Sequence, residues 1–204
     1  MLESLLKIDR DLFVYLNSLG SEPFDNFWLF ITRKISWVPI FAIILYLAFK
    51  RLGWKHALLI VIMISILLLL TDQTTNIFKR GFARLRPGSD PALAEFVRAV
   101  QRRSSFSFIS GHASNSMAVA FFLYKVLKPY LKYMGLIFIW PLIFAYSRIY
   151  LGLHYPGDIL MGYLWGFLMS FITLRLYVYL RDRFFPKQQE ELDHPTNSEP
   201  VSNG

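Results

Sequence analysis

The chain has 204 residues, 54% of them hydrophobic and 17% aromatic, with a mean hydropathy of +0.38 and no cysteine. That much apolar side chain exceeds what a soluble domain of this length needs and fits a polytopic membrane protein, while disulfides and thiolate metal sites are excluded. The net charge is +8, but the cations lie in short loops and motifs and not in a stripe interleaved with aromatics, so nucleic acid is not an expected partner.

In chain order, residues 2–32 mix apolar and charged positions and are broken by Gly20 and Pro23. Two short helices lying in the membrane interface fit this pattern better than a span, with a sixth span as the alternative. Lys7, Asp9, Arg10 and Asp11 interrupt the apolar pattern, which is unlike a cleavable signal peptide. Five apolar segments follow at 36–49, 57–70, 113–127, 134–146 and 159–180. Each meets or approaches the roughly 20 residues that cross a bilayer core. The expected fold is an all-α polytopic membrane bundle of five or six transmembrane helices. Residues 1–35 are expected to form N-terminal amphipathic helices, 36–185 the membrane domain, and 186–204 a polar, disordered tail.

Most connections are short. The exception joins Pro87 to Ile109 and carries Arg98, Arg102 and Arg103. A short helix fits residues 90–103, with Arg98 and Arg102 on one face at i,i+4 spacing. A loop of this length acts either as a lid over a site or as a solvated connector. With five spans, Lys50, Arg51 and Lys55, then Lys125, Lys128 and Lys132, then Arg181, Arg183 and Lys187 all fall on one side. The excess of positive charge makes that side cytoplasmic.

Three short patterns then fall on the opposite side: Lys79 followed after six residues by Arg86-Pro87; Ser110-Gly111-His112; and Ser147-Arg148, five residues, His154, three residues, Asp158. Ionisable groups at membrane boundaries are costly and mark functional sites. His154 and Asp158 at i,i+4 spacing, with Pro156 between them, place the histidine just before a helix and the carboxylate in its first turn. The carboxylate can then hold one imidazole nitrogen and leave the other as a lone pair for a substrate. Ser110-Gly111 opens the helix at 113–127, where free N–H groups and the positive dipole end favour an anion. His112 in that first turn is more than a cap requires and suits a general acid. Lys79, Arg86 and Arg148 supply the charge to hold phosphoryl oxygens. Taken singly, each cation also fits an interfacial side chain reaching for water, which is the reading given to Arg80 and Arg84.

Together the three patterns resemble the tripartite signature of the type-2 phosphatidic-acid phosphatase superfamily, which also contains soluble acid phosphatases and vanadium haloperoxidases. The resemblance covers residues 71–180. It departs at Ile109, where the family usually has proline. The resemblance implies a metal-independent integral membrane phosphatase without cofactor. Its substrate would be a lipid phosphate or diphosphate, such as undecaprenyl diphosphate, phosphatidic acid, phosphatidylglycerol phosphate or a lipid A phosphate. It further implies that His154 attacks phosphorus to form a phosphohistidine, that Asp158 orients it, and that His112 protonates the leaving oxygen. Lys79, Arg86, Ser110, Gly111 and Arg148 would hold the phosphoryl group. The expected location is the cell (inner) membrane, with the site extracytoplasmic and the tail cytoplasmic. The competing readings are a lipid phosphotransferase using the same site and a non-enzymatic anion or lipid transporter.

Overall fold

A computed structural model describes residues 2–185, and every regular element within them is helical. The expectation of a disordered tail over 186–204 falls outside the described residues. The N-terminal stretch forms α1 (Leu2–Ser18) and α2 (Asp25–Ile31), separated by Gly20 and a 3-10 turn that carries Pro23. α1 buries Phe13 and Asn17. The Asn17 amide donates to the Arg98, Ile149 and Tyr150 carbonyls, and its oxygen accepts from the Arg98 N–H. Its other face leaves Leu5, Ile8 and Leu12 exposed.

The first two apolar segments are one helical run, α3 (Val38–Phe82), interrupted at Gly53 with φ 81° and ψ 169°. That conformation is open to glycine and costly for residues with a β-carbon. Gly53 therefore hinges two arms inside the basic cluster of Lys50, Arg51 and Lys55. α4 (Gly111–Leu127), α5 (Ile139–Tyr150) and α6 (Pro156–Phe184) complete the bundle. Among the described residues, two stretches are long and apolar enough to cross a membrane, Lys34–Phe82 and Pro156–Phe184. Their outward faces carry Ile43, Leu58, Leu69, Leu160, Leu164 and Phe171 in the open. An aqueous protein rarely exposes apolar surface on this scale.

The interior of the bundle is built from Ile60, Met63 and Leu67 of α3, Phe122, Leu123 and Leu127 of α4, and Tyr177 of α6. Towards the N-terminal ends of α4 and α6 the packing changes character. A β-carbon at Gly166 would lie 2.2 Å from the Ser114 carbonyl oxygen, and one at Gly162 would lie 2.7 Å from that of Ser110. Two glycines four residues apart thus let the backbones of α4 and α6 touch, as small-x-x-x-small pairs do in membrane helices.

The long loop is not helical over 90–103. It makes 3-10 turns at Pro87–Ser89 and Pro91–Leu93 and is otherwise irregular. Its backbone is satisfied by tertiary partners instead. Gly88 N–H donates to Gly152 O at 3.0 Å and Gln101 N–H to Leu151 O at 3.2 Å. Arg98 turns away from Arg102 to pair with Asp25 of α2. These contacts hold the loop against the α5–α6 turn.

Candidate active site

The α5–α6 turn and the first turns of α4 and α6 bring the three sequence patterns together. His154 lies in the turn, 1% exposed, and Asp158 in the first turn of α6, 0% exposed. Asp158 Oδ2 accepts from the Tyr155 N–H at 3.0 Å, a bond that caps the helix and fixes the carboxylate. The same oxygen lies 3.5 Å from His154 Nδ1, a spacing at which the two face one another without a tight bond. On the opposite edge of the ring, an Arg86 N–H approaches Nε2 at 3.0 Å. A guanidinium can only donate, so Nε2 carries the lone pair and the ring proton sits on Nδ1, towards Asp158. Burial drives the imidazole well below its ordinary pKa of 6.5, and the charges of Arg86, Arg148 and Lys79 push the same way. The ring is neutral, with its free electron pair turned to the cations.

Among the described residues none of those cations is in direct contact with a carboxylate; Asp158 acts on Arg86 and Asp72 on Lys79 from further off. Arg86, 4% exposed, gives its remaining donors to the Ser105 carbonyl and hydroxyl and to Leu153 O. Burial, then the charge of Arg103, holds its pKa down to about 10. Arg148, 1% exposed, donates from one terminal nitrogen to Thr32 Oγ1, while its Nε is buried without a partner. Lys79 lies across from the helix end: a β-carbon at Gly111 would be 3.6 Å from Lys79 Nζ and 3.5 Å from Thr75 Oγ1. Lys79, Arg86, Arg103 and Arg148 all act electrostatically on one another. Two buried arginines and a half-buried lysine at a helix N-terminus form a site that calls for an anion.

Ser110 caps α4, its hydroxyl accepting from the Ala113 N–H at 3.4 Å, and its own N–H donates to Asp158 O at 3.0 Å. That bond ties the start of α4 to the first turn of α6. His112 sits in the first turn of α4, within electrostatic reach of Arg148, His154 and Lys34, its ring 5.1 Å from that of Phe144. Every predicted site residue is therefore found in one neighbourhood.

Three residues were not anticipated. Thr32 holds Arg148 and Thr75 stands beside Gly111; single threonines in apolar surroundings carry no readable signal. Arg84 is the correction. It is no interfacial side chain reaching for water: Nη1 donates to Asp158 Oδ1 at 2.8 Å and Nη2 to Asp9 Oδ2 at 2.7 Å. Two buried or half-buried carboxylates draw it inward.

Beside this polar centre lies an open apolar cleft of about 330 Å³ between the two arms of α3, α4 and α5. Trp37, Phe41, Ile64, Trp140 and Phe144 line it. Lys34 and Asn115 also line it; Lys34 is within electrostatic reach of His112, and Asn115 lies one turn past His112 on α4. The cleft and the cation cluster thus meet at His112 and Phe144.

The PAP2 superfamily matches residues 55–182, more than half of the chain. The chain belongs to the PAP2 superfamily. It is 37% identical over 185 residues to a lipid A 4'-phosphatase of Bacteroides thetaiotaomicron, covering 86% of this chain and 81% of that one. With the lipid A 4'-phosphatase of Porphyromonas gingivalis it shares 32% over 186 residues, covering 90% and 78%. A crystal structure of a transmembrane PAP2-type phosphatidylglycerolphosphate phosphatase from Bacillus subtilis superposes with a TM-score of 0.64 at 23% identity, covering 89% of each chain. This PAP2 chain is a phosphatase.

Proposed function

We propose that this PAP2 phosphatase removes a phosphate monoester from a membrane lipid of the lipid A type, by way of a phosphohistidine on His154. The single observation that carries the chemistry is the His154 ring, neutral and aimed through Nε2 into a cluster of cations that have no carboxylate in direct contact among the described residues. In the free enzyme Arg86 donates to Nε2. An arriving phosphoryl group offers the guanidinium stronger, charged acceptors and frees the lone pair. Nε2 then bonds to phosphorus as the bond from phosphorus to the lipid oxygen breaks, and His112, charged by a proton taken up with the anionic substrate, gives that proton to the leaving oxygen. The imidazolium formed on His154 keeps its Nδ1 proton facing the Asp158 carboxylate. His112, now neutral, takes a proton from water as the water oxygen attacks phosphorus, which releases inorganic phosphate and restores both rings. Lys79, Arg86, Arg148 and the Ser110-Gly111 helix end hold the transferring oxygens; one such donor contributes roughly 3–4 kcal/mol to the transition state.

The lipid part of the reading is supported by the cleft beside His112, which suits an acyl chain while the headgroup meets the cations. The lipid A type is supported by the two relatives that match this chain over most of its length. A Bacillus subtilis phosphatidylglycerophosphatase B matches over 50% of the chain at 35% identity. The exposed apolar faces of α3 and α6 support a multi-pass arrangement; with five spans, the loop cations Lys50 and Lys125 fall on the cytoplasmic side and the site on the other. Residues 1–35 then lie along the interface with Leu5, Ile8 and Leu12 in the headgroup region.

Phosphate release by the purified protein in detergent, measured on lipid A, phosphatidylglycerol phosphate, phosphatidic acid and undecaprenyl diphosphate, tests the assignment. The expected result is the highest kcat/KM on lipid A, with loss of the 4'-phosphate and no activity in His154→Ala. A preference for one of the other three would overturn the lipid A assignment. Activity retained by His154→Ala would overturn the mechanism.

A further inference from the structure

Arg84 lies between two cations proposed to hold phosphate, yet both ends of its guanidinium are taken by carboxylates. Nη1 meets Asp158 Oδ1 at 2.8 Å and Nη2 meets Asp9 Oδ2 at 2.7 Å. Its Cζ lies over the Tyr155 ring, 3.8 Å from the centroid. Two of its five N–H donors are thus committed to carboxylates and not to an oxyanion.

Asp158 depends on this arrangement. A fully buried carboxylate is tolerable only when paired and hydrogen-bonded. Oδ2 accepts from the Tyr155 N–H and faces His154 Nδ1 at 3.5 Å, so among the described residues Arg84 supplies the one counter-charge in direct contact. Without Arg84 the carboxylate is drawn to protonate or to turn; a protonated Asp158 can itself donate to Nδ1, and Arg86 at Nε2 is then left alone in holding the Nδ1–H form.

Asp9 of α1 completes the chain from the far side. Its Oδ1 accepts from the Gly157 N–H at 2.7 Å, one of the free donors at the start of α6. A β-carbon at position 157 would lie 2.9 Å from Asp9 Oδ2, so glycine is what allows the approach. One carboxylate on α1 therefore grips both the helix end that carries Asp158 and the cation that neutralises it.

We propose that Asp9 and Arg84 are positioning residues for catalysis: an Asp9–Arg84–Asp158 relay reaches from the N-terminal helix and, together with Arg86 at the opposite edge of the ring, fixes the orientation and tautomer of His154. The role rests on the phosphatase reading, but its physical content, the state of one imidazole ring, does not. Neither residue touches the phosphoryl group.

The test uses Arg84→Gln, Arg84→Lys and Asp9→Asn in the full chain in detergent, each checked for an unaltered melting temperature. Two readouts are taken. The first is kcat and KM for a lipid phosphate together with the inhibition constant of orthovanadate. Arg84→Gln is expected to lower kcat by about ten- to a hundredfold, the range usual when a partner that orients a histidine is lost. KM and vanadate inhibition should stay within about twofold of wild type. Arg84→Lys, which restores one of the two pairings, should recover part of kcat. Asp9→Asn keeps an acceptor for Gly157 and should lower kcat by a smaller factor, less than additively with Arg84→Gln. The second readout needs no turnover: the ¹⁵N shifts of the His154 ring in histidine-labelled protein, identified by their loss in His154→Ala. Wild type should show the Nδ1–H tautomer and Arg84→Gln a mixture of the two. An Arg84→Gln protein with wild-type kcat and an unchanged tautomer would overturn the relay, and a parallel weakening of vanadate would make Arg84 a phosphate ligand instead. Should Arg84→Gln fail to fold, Asp9→Asn alone decides by the same two readouts. An inactive wild type with the expected tautomer response would sink the phosphatase reading and leave the relay standing.

Discussion

α4 has two very different neighbours. On one side α6 presses against it through Gly162 and Gly166, backbone to backbone, with Ser110 N–H bonded to Asp158 O at 3.0 Å. On the other side the arms of α3 stand off and leave a cleft of about 330 Å³ lined with aromatic and aliphatic side chains. The closed side locks Asp158, with the preceding His154, to the start of α4. The open side has room for a chain beside His112, whose ring lies 5.1 Å from that of Phe144 at the edge of the cleft. In the proposed function one helix thus serves two demands, rigidity where bonds change and space where a lipid enters and leaves.

Filling the closed side should have the largest effect. Gly166→Leu would force atoms where a β-carbon alone already lies 2.2 Å from the Ser114 carbonyl oxygen. The helices must part, and activity should be lost together with a fall in melting temperature; a fully active, equally stable variant would show that the seam does not position the site. Filling the open side should act differently. Ser65 lies at the exposed edge of the cleft, and Ser65→Trp should raise KM for a long-chain lipid phosphate by about tenfold, the effect of roughly 1.4 kcal/mol of lost chain burial. Hydrolysis of a water-soluble phosphate ester by the same variant should be unchanged, and an equal loss on both substrates would contradict the assignment of the cleft.

The smallest expected effect concerns pH. In the proposed mechanism a neutral His154 is the attacking form, and burial and neighbouring cations hold its pKa below 6.5 in the free enzyme. Protonation, and with it the acid limb of kcat/KM, should thus begin only below pH 6.5. The groups facing the ring are Arg86, Arg148, Lys79, His112 and Asp158. Removing one charge in Lys79→Met should lower the rate and also move the acid limb upward, towards 6.5. Because the substrate phosphate titrates equally in both proteins, the difference reports the enzyme. An unmoved or lowered limb would show that Lys79 does not act on His154.

The site was legible because its chemistry lies in short, local spacings. Ser110-Gly111-His112 caps α4, and His154 with Asp158 straddles the start of α6, as proline and i,i+4 spacing suggest. The break of the N-terminal stretch at Gly20 and Pro23 was legible for the same reason. What escaped depends on distant partners. Arg84 looked like an interfacial cation because nothing local announces Asp9, 75 positions away. Residues 90–103 looked helical by spacing, but hydrogen bonds of Gln101 to Leu151 and of Arg98 to Asn17 satisfy the segment in another form. Two apolar segments looked like separate helices, and the hinge between them is the positive φ of Gly53 within a continuous helical run. The spacing of Gly162 and Gly166 suits close helix packing but does not say which helix is met.

The most direct measurement is rapid acid-free quenching of the enzyme with a lipid substrate labelled at its phosphate, followed by mapping of the bound label. The account predicts a base-stable, acid-labile phosphoryl group on His154, formed and consumed with no added metal and missing from His154→Ala. Turnover with no label on His154, or turnover that requires Mg²⁺, would contradict it.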